Sequence, residues 1–312
     1  MSTESERSSR WSSLVDRFAT RRTLLYLILG LLVVLFLLPL EAGIVTSFKS
    51  REGYLATNPV VPPTPSIFST GPWETAWNTL KGNFVNSAMY AVPATILSAL
   101  LGSLAAHGLT NLKWRGQTAV FLIFAAGIFI PYQSVLIPLS RFWFHVNLQG
   151  ALANLGPINV WQLPLMKPHY AEIIELILTH TAYGIPITTL LFRGHYQAIS
   201  GEMLESARLD GASMTAIYRE IILPLSKPMF IVTFIYQFTS IWNGLLIALI
   251  LAPTGPAQPI TVAINELAIV GMVPTYNTMM AGAFVTALPT LAVYIFFGDR
   301  FAEGVAGYGQ AQ

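Results

Sequence analysis

No cysteine occurs in the 312 residues, which excludes disulfide bridges, thiolate zinc sites and a cysteine nucleophile. Charge is scarce as well. Asp, Glu, Lys and Arg together make up 10% of the chain, whereas a soluble domain carries roughly a quarter, so a globular soluble enzyme is a poor fit. There is no G-x-x-x-x-G-K-[ST] segment and no Gly-Lys pair, so the chain is not expected to bind ATP through a P-loop. None of the five histidines precedes a glutamate, which removes the H-E-x-x-H helix of zinc proteases. Carboxylates approach the apolar runs only at their margins, as Glu41, Glu172 and Glu175. An ion-coupled secondary transporter or an intramembrane enzyme would want acidic groups at membrane depth. No cofactor and no nucleic-acid partner is expected for this chain.

What is abundant is apolar length. Hydrophobic residues make up 54% of the sequence. Runs of about 20 residues, long enough to cross the hydrocarbon core, predict an all-α polytopic membrane protein with about six transmembrane helices. The first run, "RRTLLYLILGLLVVLFLLPL", is longer than a signal-peptide core and no A-x-A-like site follows it, so it reads as an uncleaved span. Spans are expected near 23–47, 84–107, 118–139, 173–192, 229–251 and 278–297. Around them the expected organisation is a polar tail over 1–22, a first span with a proline-rich outer loop over 23–82, a main transmembrane domain over 83–298 and a second tail over 299–312. Pro131, Pro138 and Pro186 are expected to kink their helices. With the amino terminus inside, twelve lysines and arginines fall in cytoplasmic segments and five outside (Lys49, Arg51, Lys81, Arg141 and Lys167). By the positive-inside rule both termini are cytoplasmic.

One stretch departs from the apolar pattern: "ESARLDGASMTAIYREIILPLSKP", from Glu205, between spans four and five. Met203, Leu204 and Ala207 share one face of a short helix, and Met214, Ile217 and Ile221 repeat the pattern after Gly211. Pro224 biases Leu223 away from helix, so the second element is expected to stop there. Two short amphipathic helices bent at a glycine are marginal alone in water. The other cytoplasmic loops are only a few residues long and offer limited cover, so lipid headgroups, those loops and a partner protein are the alternatives.

The order of residues in the loop over 196–226 points to a partner. Glu205-Ser206-Ala207, then Gly211, then Ile221-Ile222-Leu223-Pro224, with Asp210-Gly211-Ala212 at the centre, resembles the signature loop of the membrane subunits of binding-protein-dependent ABC importers. Ser206 stands where that family usually has alanine. "PITVAINEL", "IWNGLL" and "AFVTALPTLAVYIFFGDRFAEGVAGYG" are similar to segments of the MalG-like carbohydrate-uptake branch. The resemblance implies that the helix around Glu205 to Ala212 is a coupling helix seated on separate ABC ATPase subunits, which bind ATP and Mg, with Glu205 as the contact and Gly211 as the bend. Ser206, Ala207, Asp210, Ala212, Ile221, Leu223 and Pro224 complete the implied coupling set. It further implies a second permease subunit, an extracytoplasmic solute-binding protein meeting the loop over 252–277, a sugar substrate and the cell membrane of a prokaryote. An amino acid, peptide or polyamine is the alternative substrate. In the MalG-like branch most sugar contacts lie in the companion permease.

Polar groups inside spans are candidates for a pathway because each needs a partner in a dry environment. Asn86, Gln133, Gln237 and Asn243 fall there, and Trp242 offers a ring on which a sugar stacks. Hydrogen bonding between helices is the alternative for each. His180 is read as a hydrogen-bonded structural histidine. The long stretch over 140–170 receives no role.

Overall fold

The computed structural model describes residues 3–112, 114–267, 269–270 and 273–309, with side chains over 22–112, 114–267 and 275–299. The side chains of the expected tails (1–21 and 300–312) and Lys113 lie outside the described residues.

The chain is helical nearly throughout. Helix α1 covers Thr3–Ser47, α2 Arg51–Ala56, α3 Gly71–Thr110, α4 Gln117–Ile128, α5 Tyr132–Val146 and α6 Leu148–Ala153. Helix α7 covers Tyr170–Gln197, α8 Gly201–Leu209 and α9 Met214–Ile217, followed by a π-helical turn over Tyr218–Ile222. Then come α10 Leu223–Leu225, α11 Lys227–Trp242, α12 Leu246–Leu251, α13 Ile260–Ala263 and α14 Tyr276–Gly309. A short antiparallel pair, β1 Ile269–Val270 with β2 Val273–Pro274, lies in the loop before α14. Among the described residues four helices are long and apolar enough to cross a membrane, and six spans result if each of two bent pairs counts as one.

Several expected boundaries move. Both expected polar tails continue as helix over their described residues, 3–22 and 299–309. No glycine or proline interrupts residues 3–29, and the glycines of the last segment each cost a helix only about 1 kcal/mol. Helix α3 begins at Gly71, well before the apolar run, because "GPWETAWNTLKG" repeats Trp73, Ala76, Trp77 and Leu80 at helical spacing behind a proline in the first turn. The third span is broken. Pro131, in an extended conformation, caps α5, and the pair α4–α5 bends by 101°. Helices α5 and α7 continue through Pro138 and Pro186. The fifth span breaks as well, after Trp242: Asn243 Nδ2 donates to the Thr239 carbonyl, and Gly244 packs so tightly that an added Cβ would stand 3.1 Å from the Ile241 carbonyl oxygen. The short α12 that follows packs against α5 and α7.

The chain divides into two compact units. In the first (1–76 with 268–284), most of α1 from Leu24 to Leu40 is exposed and apolar, the surface expected of a helix in lipid. At its end Lys49 is fully buried, and its Nζ donates to the Asn58 carbonyl at 2.8 Å. Asn277 Nδ2 donates to the Lys49 carbonyl (2.9 Å). The rings of Phe68, Phe48, Trp73 and Phe284 stack in sequence.

In the second unit (77–267 with 285–312), α3, α7 and α11 approach through small residues. A Cβ at Gly102 would collide with Thr188, whose Oγ1 donates to the Ser98 carbonyl (2.8 Å). A Cβ at Gly184 would collide with Gln237 and Ser98. The loop before α13 is tied down by Asn86, whose Nδ2 donates to the carbonyls of Pro256 (2.8 Å) and Gln258 (3.0 Å).

Candidate functional site

The amphipathic segment after α7 has two faces with different fates. Leu204, Ile217 and Ile222 are buried in one apolar cluster with Ala99 and Ala106 of α3, Phe192 and Tyr196 of α7, and Met229 and Val232 of α11. The expectation that the chain itself covers little of this segment is therefore corrected. The short loops do not cover it; the ends of the long helices do. Burying an aliphatic side chain stabilises by about 1.5–3 kcal/mol, enough to hold helices too short to persist alone. Ser103 ties the contact further: its Oγ shares hydrogen bonds with the hydroxyls of Tyr196 (2.6 Å) and Tyr218 (2.7 Å). Arg208 Nη2 donates to the Asn111 carbonyl at 3.1 Å.

The outward face is left open. Glu202, Met203, Glu205, Ser206, Leu209 and Asp210 are exposed, Leu209 at 84%. Helix α8 starts at Ser200, which accepts from the Met203 amide, and ends in a Schellman cap. The Ala212 amide donates to the Ala207 carbonyl and the Gly211 amide to the Arg208 carbonyl, both at 3.0 Å. This cap needs a left-handed residue, and Gly211 supplies it at φ +84°. Ala207 and Ala212 are small and half-buried where the cap folds back. Helix α9 then starts at Ser213, which accepts from the Ala216 amide (3.2 Å).

Pro224 does not end the element as expected. Leu223 is helical (φ −61°, ψ −46°), and its amide donates to the Tyr218 carbonyl, five residues back. This wider π turn keeps the backbone helical up to a residue that lacks an amide hydrogen and whose ring would crowd the carbonyl four positions earlier. The bend comes afterwards, 72° between Met214–Leu225 and Lys227–Trp242. Ile221 and Leu223 are half-buried and Pro224 is exposed.

The polar candidates within spans separate into groups. Asn86 is consumed by the loop it holds. Trp242 is buried, with Nε1 donating to the Thr286 carbonyl (2.9 Å) and its ring against Phe238 and Phe84, which leaves no face for a sugar in this conformation. Asn243 bonds Thr239 and Thr290, and Gln133 is exposed on α5. Of the five, Gln237 lines a half-open cleft of about 140 Å³, together with Tyr132, His180, Tyr183, Ser240, Gly244 and four aliphatic residues of 241–247. His180 is not the hydrogen-bonded histidine expected: its ring stacks on Tyr90 at 5.6 Å, and Nε2 is buried without a hydrogen-bond partner among the described residues.

Residues 98–305, which contain the capped helix, the π turn and the cavity-lining helices, match the model of the binding-protein-dependent transport system inner membrane component family. The chain belongs to that family. This permease is 42% identical over 296 residues to the xylose/arabinose import permease protein XacI of Haloferax volcanii, covering 94% of this chain and 95% of that one. It is 28% identical to the glucose import system permease protein GlcU of Saccharolobus solfataricus, covering 93% and 95%. Its fold is similar to a chain of a bacterial ABC transporter involved in the import of alginate, with a TM-score of 0.67 at 18% identity over 88% of this permease and 94% of that chain.

Reading the sequence missed the Ser103–Tyr196–Tyr218 contact and the cavity. The available signal was the presence of hydroxyl-bearing aromatics within apolar runs, where a phenol needs a partner.

Proposed function

We propose that this permease carries a sugar across the cell membrane as one of two permease halves, driven by ABC ATPase subunits that dock on α8 and bind ATP and Mg. A solute-binding protein would deliver the sugar from outside, and both termini would lie in the cytoplasm, as the lysine and arginine distribution favours. The observation carrying the docking is the two-sided character of α8. Its inner face is rooted among the spans, while Glu205, Leu209 and Asp210 stand free beside a rigid cap. Glu205, Ser206, Ala207, Asp210, Gly211, Ala212, Ile221, Leu223 and Pro224 form the coupling set in this reading. Glu205 supplies an acceptor for a cationic or amide donor of the ATPase, and Gly211 fixes the angle at which the helix is presented. Names of relatives that import xylose, arabinose and glucose support the sugar.

The test is co-purification and uptake. A Glu205→Ala, Gly211→Pro double variant is expected to lose ATPase from the purified complex and to stop uptake of labelled xylose, arabinose and glucose. An intact complex with normal uptake overturns the coupling role. Competition with amino acids, peptides and polyamines separates the alternative substrates.

A further inference from the structure

We propose that the cavity between α5, α7 and α11 is a sugar-binding site carried by this chain itself, with Tyr132, Tyr183, Gln237 and Ser240 as its contacts and His180 in its wall. The inference rests on the sugar-importer reading and deepens it.

Position comes first. His180 lies ten residues into α7 and Gln237 ten residues into α11, so both stand within helices of the membrane-spanning bundle, about 15 Å from their first turns. A cleft of about 140 Å³ there suits a small ring better than a single water or ion.

The chemistry of the lining selects the solute. Two phenols, one carboxamide and one hydroxyl belong to a lining otherwise rich in aliphatic side chains, and each both donates and accepts, as sugar hydroxyls do. The Tyr132 and Tyr183 rings lie 5.1 Å apart at 33°, an apolar surface suited to the C–H face of a sugar ring. No aspartate, glutamate, lysine or arginine lines the cavity. An amino acid, peptide or polyamine would bring a charge that no lining side chain pairs. Gly184 leaves the room that the Gln237 amide occupies, and Gly244 lets the backbone approach His180, with an added Cβ at 3.5 Å from Cε1.

The absence of cysteine gives a direct test. Ser240→Cys places the only thiol of this chain in the cavity, and Tyr294→Cys places one on an exposed face of α14 as a control. Both are made in the full transporter, reconstituted with its companion permease, ATPase and binding protein. The wild type is first assayed for uptake of xylose, arabinose and glucose. The imported sugar is expected to slow N-ethylmaleimide labelling at S240C and not at Y294C. Tyr183→Phe and Gln237→Leu are each expected to lower uptake about fivefold or more, the scale of one lost hydrogen bond. Sugar-independent labelling of S240C in a transporter that imports sugar overturns the site and leaves the sugar-importer reading standing. A wild type that imports none of the three sugars overturns both.

Discussion

The hydroxyl of Tyr218 lies 2.7 Å from Oγ of Ser103, joining the π turn to the interior of α3. Because Ser103 also bonds Tyr196, one small hydroxyl links the amphipathic segment to two long helices. A neutral hydrogen bond contributes about 1 kcal/mol. Tyr218→Phe and Ser103→Ala are each expected to lower the melting temperature of the assembled transporter. A double-mutant cycle should return a coupling of about 0.5–1.5 kcal/mol; strict additivity would mean the two hydroxyls do not interact.

Gly211 is a conformational requirement with open space around it. At φ +84° an alanine is strained by roughly 1–2 kcal/mol, whereas asparagine tolerates the left-handed region better. Gly211→Ala is expected to weaken retention of the ATPase in pull-down, with Gly211→Asn retaining more. Equal losses for both would mean that the requirement is for small size and not for backbone hand.

At Gly102 the constraint is space. An added Cβ would collide with Thr188, so Gly102→Val should separate α3 from α7 at a cost of about 1–3 kcal/mol, more if the Thr188 bond to Ser98 breaks. Thermal unfolding of the purified complex measures this, and the double variant Gly102→Val, Thr188→Ala is expected to recover part of the loss.

Lys49 brings pH into the account. Burial holds its ammonium below the ordinary lysine value of 10.5, and the Glu41 carboxylate opposes that shift. The charged form is thus less favoured in the folded chain than in the unfolded one. This site's contribution to stability rises as pH climbs from the lowered value toward 10.5, and it is lost as pH falls through the lowered value. Lys49→Met should flatten the stability curve over that alkaline window. Identical slopes for wild type and variant in detergent melts would rule the linkage out.

What could be read in advance follows from how local each determinant is. The apolar run of α1 and the order Glu205, Gly211, Pro224 are local patterns, and both give elements where the structure has them. Leu223 is helical where a stop is expected, because the π turn just before it accommodates the proline that follows. The first turns of α3 are helical where a loop is expected, because proline and glycine there start a helix. The break at Pro131 falls where a kink is expected, whereas the one near Asn243 depends on what packs alongside, as does the pairing of Gln237 with Gly184, and periodicity along one strand of sequence carries no trace of such neighbours.

The anchoring of Leu204, Ile217 and Ile222 among α3, α7 and α11 has a mechanical corollary. A close-packed interior is stiff and does not absorb displacement by local compression. A displacement of α8 therefore reaches three long helices at once, with the buried Leu204, Ile217 and Ile222 as the axle.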